Sequence, residues 1–91
     1  MFSFEWDEAK AVSNLRKHGV SFDEAVSVFA DPNALTFADT DHSEREDRSR
    51  TYGLSSRGRL LVVVHTERRN NVRLIGARKA TKHEEAIYED G

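Results

Sequence analysis

His65 closes an apolar run, Leu60-Leu61-Val62-Val63-Val64, and arginines recur on either side of it. An imidazole has an unperturbed pKa of about 6.5 and moves protons at neutral pH. A guanidinium offers a planar fork that matches a phosphate. Arg73 and Arg78 fall in the strand predicted after His65. They are separated by an odd number of residues, so a regular strand points them to opposite faces, and Arg78 and Lys79 diverge for the same reason. Taken singly, His65 reads as a strand-end histidine and each cation as part of a solvated face. Arg78-Lys79-Ala80-Thr81 stands at a strand-to-helix junction. The first N–H groups of a helix lack backbone partners and attract anions, so two cations beside them can form a phosphate seat. The plainer reading of that end is surface charge near a capped helix. Glu46-Asp47-Arg48 opens an earlier strand. A carboxylate there can act as a base and an arginine can hold a phosphate; the plainer reading is an exposed ion pair worth under ~1 kcal/mol.

Most other chemistries lack their residues. The five glycines stand apart, so no phosphate-cradling loop is present. His83-Glu84 is not followed by the second histidine of a zinc-protease helix, and His18, His42, His65 and His83 are too scattered for a ligand pattern. No metal and no cofactor are expected. There is no cysteine, so neither disulfides nor thiolate sites arise. No apolar run approaches the ~20 residues of a membrane helix, and MFSFEWDEAK lacks the basic start and apolar stretch of a signal peptide. The expectation is a cytoplasmic protein with no membrane partner. A net charge of −2 conceals an asymmetry: residues 1–45 carry four Lys or Arg against nine Asp or Glu, and residues 46–91 carry ten against seven. Eight of those ten are arginine. The total remains far from that of a dedicated nucleic-acid binder.

The elements that must position these residues are readable from periodicity. The 91 residues allow one domain, 1–91, with one modest core. Phe2–Trp6 alternates as a short edge strand. Asp7 caps a helix over Glu8–His18 that stops at Gly19, with a thin apolar stripe of Ala9, Val12 and Leu15. Ser21 and Glu24 are spaced as a capping box, and Phe22, Ala25, Val26 and Phe29 form one buried helical face, ended by Asp31-Pro32. Leu35–Phe37 is a short strand, Asp39–Glu44 a loop, and Arg48–Ser55 a strand. The continuous apolar run Leu60–Val64 predicts a central strand covered on both faces. Arg68–Asn71 turns the chain into a strand over Val72–Lys79, and Thr81 with Glu84 opens a C-terminal helix. The reading is an α+β fold of order β-α-α-β-β-β-β-α. Its sheet is mainly antiparallel, packed by two N-terminal helices and a C-terminal helix.

Several segments resemble the BrnT toxin family. They are Phe4-Glu5-Trp6-Asp7 with Lys10, Asn14-Leu15, Lys17-His18-Gly19-Val20-Ser21-Phe22, Ala25 with Phe29, and Asp31-Pro32. Glu46 with Arg48, Leu61–Thr66, and Ala77-Arg78-Lys79-Ala80-Thr81 with Glu84 and Tyr88 complete the series, in order along nearly the whole chain. Gly76 stands where the family pattern leads one to expect serine. The resemblance implies a RelE-like ribonuclease toxin of a type II toxin–antitoxin system that inhibits translation. Its implied partners are RNA and a BrnA-like antitoxin with a DNA-binding domain, through which alone operator DNA is reached. A metal-independent mechanism fits: the RNA 2′-OH attacks the adjacent phosphorus. Arg48 and Arg78 are then expected on the scissile phosphate and His65 or Glu46 as the proton carrier. Lys79, Arg73, Arg68 and Arg50 are expected along the RNA. A non-catalytic RNA- or protein-binding module using the basic sheet face is the rival reading.

Overall fold

The Val-rich run forms the middle of a five-stranded sheet. In a computed structural model that describes residues 3–39 and 47–91, the chain runs β1 (Ser3–Glu5), α1 (Glu8–His18), α2 (Phe22–Ser27) and a 3-10 turn (Val28–Ala30). It continues through β2 (Leu35–Ala38), β3 (Arg48–Leu54), β4 (Leu60–Arg68), β5 (Asn71–Lys79) and α3 (Lys82–Asp90). This is the expected order with the 3-10 turn added. Strands lie side by side as β1-β5-β4-β3-β2. The sheet is mixed: β2 through β5 pair antiparallel with their sequence neighbours, whereas β1 runs parallel to β5. No hairpin links β1 to β5, so no tight turn dictates their relative direction.

Local chemistry sets the element ends. Asp7 accepts a hydrogen bond from Lys10 N at 3.1 Å, and Gly19 adopts φ 69° at the end of α1, a conformation a side chain disfavours. Ser21 accepts from Glu24 N at 3.0 Å. The Glu24 carboxylate does not reach back to complete that box. It accepts instead from Ser55 Oγ at 2.7 Å and from Arg59, tying α2 to the β3–β4 turn. At α3 the capping box is complete, with Thr81 N bonded to Glu84 Oε1 and Glu84 N to Thr81 Oγ1.

Leu61 and Val63 of β4 join Val20, Phe22, Ala25, Val28, Val72, Leu74 and Ala77 in the core beneath α1 and α2. Val62, which points the other way, is also wholly buried, so the central strand is covered on both faces at that point, whereas Val64 on the same side is only half-buried. α1 meets the sheet differently from expectation. Val12 and Leu15 remain 55% and 52% exposed, and the buried residue of the helix is Asn14. Its amide donates to Ala77 O at 2.8 Å and Val20 O at 3.0 Å and accepts from Ala77 N at 3.0 Å. A side chain thus pairs with β5 much as a strand does.

β4 and β5 shift register between Val64 and His65: Val64 pairs with Gly76, but His65 pairs with Leu74. Ile75 is therefore the extra residue of a β-bulge, and the alternation of β5 changes phase there. This single residue decides which cations share a face.

Candidate functional site

Residues that are Cα partners across neighbouring strands project to the same side of a sheet. Arg48 pairs with Thr66 and Thr66 with Arg73; Arg50 pairs with Val64 and Val64 with Gly76; Tyr52 pairs with Val62 and Val62 with Arg78. Arg48, Arg50, Arg73 and Arg78 consequently lie on one face, the one turned away from α1 and α2. The expectation that Arg73 and Arg78 point apart is corrected by the bulge at Ile75, which a parity count cannot see. The divergence of Arg78 and Lys79 holds. Lys79 is the partner of Leu61, on the helix face, and is exposed there rather than beside Arg78.

On the open face Asp39, Arg48, Arg50, Val64, Ile75, Gly76 and Arg78 line a cleft of about 310 Å³. Val64, Ile75 and the bare Gly76 form an apolar, shallow floor. The arginines rise from β3 and β5 on either side of it. Asp39, at the end of β2, is 6% exposed and is held by its N–H on Arg48 O at 2.8 Å. Its Oδ1 lies 4.0 Å from Arg50 Nε. The sequence places Asp39 at the start of a loop; only the β2–β3 pairing brings it to the arginines.

Arg78 is anchored by α3. Its Nη1 and Nη2 meet Glu84 Oε1 and Oε2 at 2.7 and 2.9 Å, and Nη1 also lies 3.3 Å from Lys79 O. The Arg78 guanidinium, with help from the Thr81 N–H, holds the Glu84 carboxyl down at about 2. The pairing raises the Arg78 pKa in return. The capping box takes up Thr81 N and Glu84 N, so part of the expected phosphate seat at this helix end is filled by the helix's own residues. What faces the cleft is Arg78 itself, 36% exposed along its side chain.

Arg73 shares the face but is spoken for by β1, with Nη1 2.7 Å from Glu5 Oε2. The Arg73 contact lowers the Glu5 pKa, and Arg68, at the exposed end of β4, adds to it to a lesser degree. Glu46 lies outside the described residues.

His65 does not join the arginines. It sits within β4, three residues before the strand ends, and projects to the helix face with 2% exposure. Its ring meets Phe29 edge-on at 5.0 Å. Nε2 is 2.7 Å from Thr51 Oγ1, which lies 2.8 Å from Thr36 Oγ1, and Nδ1 is buried with no hydrogen-bond partner among the described residues. Burial pulls the His65 pKa below the ordinary value, against a smaller opposite pull from Glu67. Among the described residues no group of His, Cys, Asp or Glu is arranged to hold a metal ion, and no helix is long and apolar enough to cross a membrane.

Comparison with known proteins adds two findings. Residues 6–84 match the family described as "Ribonuclease toxin, BrnT, of type II toxin-antitoxin system". The fold is similar to the crystal structure of the Brucella abortus ribonuclease toxin BrnT. The TM-score is 0.69 at 21% identity, covering 90% of this chain and all of that one. No curated protein matches the sequence.

Proposed function

The chain belongs to the BrnT family of ribonuclease toxins of type II toxin–antitoxin systems, and from that premise we propose that the arginine cleft on the open sheet face is where it cuts RNA. The observation that carries this reading is the convergence of Arg48, Arg50 and Arg78 over a floor of Val64, Ile75 and Gly76. The phosphate lies across that floor, where no long side chain obstructs it. Arg48 and Arg78 hold its non-bridging oxygens, and Arg50, steadied by Asp39, holds the flanking backbone. The RNA 2′-OH passes its proton to the Glu46 carboxylate as its oxygen bonds to phosphorus, the bond from phosphorus to the 5′-oxygen breaks, and the departing oxygen takes up a proton from solvent. The products are a 2′,3′-cyclic phosphate and a 5′-hydroxyl. Fixed guanidinium groups offset the negative charge that grows on the phosphoryl oxygens, a role that then needs no metal ion. Glu84 keeps the Arg78 fork in one orientation, so little reorganisation is needed when substrate arrives.

Of the two proton carriers suggested by sequence, His65 is screened from the cleft by the sheet itself. Glu46, two residues before Arg48 in the chain, takes that role here. Arg68 and Arg73 extend the basic face toward β1. Cleavage of cytoplasmic RNA then inhibits translation, in keeping with a RelE-like domain. A BrnA-like antitoxin neutralises the toxin and carries the DNA-binding domain that reaches the operator.

The test is incubation of antitoxin-free protein with RNA in excess EDTA, with and without ribosomes, and identification of the new ends. Cyclic-phosphate ends that disappear with Arg48→Ala support the reading. The Arg78 position is best probed with Arg78→Lys, which does not strand the Glu84 carboxylate. RNA that is bound in a salt-sensitive manner yet stays intact in every condition would replace cleavage by the binding-module reading.

A further inference from the structure

We propose that Phe37, backed by Tyr52, is a nucleobase-stacking subsite at the edge of the arginine cleft, so that the cleft takes single-stranded RNA with one base seated on the Phe37 ring. The inference rests on the cleft being the RNA site. Phe37 lies on edge strand β2 and is 40% exposed, unusual for a phenylalanine with a core available to it. Its Cα partner is Arg50, followed across the sheet by Val64 and Gly76, so it stands on the cleft face in the same row as the cleft floor. Neighbouring strands lie about 4.8 Å apart, so the Phe37 and Arg50 side chains leave the same face of the sheet one strand spacing from each other.

The ring is also held in place. Tyr52 packs against it with centroids 5.2 Å apart and planes inclined at 59°, and Tyr52 is itself 4% exposed. Phe37 is thereby held by a buried neighbour while 40% of it stays open to solvent. A rigid aromatic surface beside a cationic track is the arrangement with which proteins receive unpaired bases, because every base has a π-face and the track holds the backbone. Bases inside an A-form duplex are already stacked on one another and cannot occupy it. Among the described residues the other large apolar exposures, Val12 and Leu15 on α1 and Leu54 at the end of β3, are aliphatic.

The experiment uses an RNA oligonucleotide whose cleavage site has been mapped with the wild-type protein and then blocked by a 2′-deoxy substitution. Two companion oligonucleotides carry an abasic residue on one or the other side of that site. Each is titrated with wild type, Phe37→Ala, Phe37→Tyr, Phe37→Leu and Arg48→Ala. Phe37→Ala and Phe37→Leu are expected to weaken the intact oligonucleotide about tenfold, with Phe37→Tyr near wild type. For one of the abasic oligonucleotides, Phe37→Ala should then cause no further loss. Equal losses on all three oligonucleotides, or none on any while Arg48→Ala still abolishes binding, would overturn the stacking subsite and leave the cleft standing. Arg48→Ala that binds all three as tightly as wild type would remove the cleft reading, and the subsite with it.

Discussion

Arg78 grips Glu84 with both ends of its guanidinium, joining the end of strand β5 to the first turn of α3 through two contacts of 2.7 and 2.9 Å. Paired forks of this kind are among the stronger charge-assisted contacts, and this one is partly shielded, with the Glu84 side chain 9% exposed.

The Glu84 carboxyl therefore titrates at about 2 against an ordinary value of 4.5. A lowered folded-state pKa contributes stability that is fully present above pH 4.5 and is lost as pH falls toward 2. Chemical denaturation of the wild type between pH 5 and pH 2 should show about 2 kcal/mol more acid loss than Glu84→Gln. Glu24 and Asp31 are lowered by their own partners and contribute acid loss to both proteins, so the difference isolates Glu84. Parallel acid profiles would contradict the role given to the pair.

His65 acts in the same direction but nearer neutral pH. Its folded-state pKa lies below the ordinary 6.5 because burial disfavours the imidazolium. The stability it confers is complete above pH 6.5 and declines as the pH falls below that value toward the folded pKa. Wild-type unfolding midpoints should fall on going from pH 7 to pH 5.5, and His65→Gln should flatten that slope. The same variant should retain RNA cleavage where it remains folded; loss of cleavage by folded His65→Gln protein would return the imidazole to the chemistry.

Asn14→Ala removes three hydrogen bonds between α1, the following loop and β5. It leaves the Ala77 and Val20 backbone groups buried without those partners, at a cost of about 2–4 kcal/mol. Asn14→Asp should be no milder, because a carboxylate cannot donate to the two carbonyls. The urea midpoint is the measurement, and a shift equivalent to under about 0.5 kcal/mol would show that α1 is held by packing instead.

Two glycines should respond in contrary ways to a side chain. A Cβ on Gly76 would meet only Asn14 Oδ1, at 3.6 Å, and the backbone there is not left-handed. Gly76→Ser should change stability by less than about 0.5 kcal/mol. A Cβ on Gly53 would fall 2.6 Å from Val28 Cγ1 and 3.2 Å from Val28 O. Gly53→Ala should destabilise by about 1–3 kcal/mol through overpacking. Thermal midpoints of the two variants, compared side by side, settle the contrast.

Much of the fold is legible because it is local. Asp7, Gly19, Ser21 and Thr81 mark helix ends through hydrogen bonds to residues a few positions away, and the Leu60–Val64 run is central because only a doubly covered strand tolerates it. The same locality misleads at α1, where Val12 and Leu15 look like the buried stripe. Asn14 is chosen instead because it finds partners on β5, 63 residues along the chain. Glu24 fits a capping box by spacing, yet its carboxylate goes to Arg59, a partner no local pattern indicates.

The sequence by itself determined the order of elements, the absence of cysteine chemistry and the family to which the residues belong. It also supplied the arginines. Their grouping was left to tertiary structure. Strand alternation sorts side chains between faces only while every residue is paired, and one unpaired residue, Ile75, brings Arg73 and Arg78 to the same side. The register of β3 on β4 then sets Arg48 and Arg50 beside Arg78 and turns His65 toward Phe29 on the far side. Register is a property of two strands at once, fixed by what each face must bury, and so it is decided only when the sheet forms.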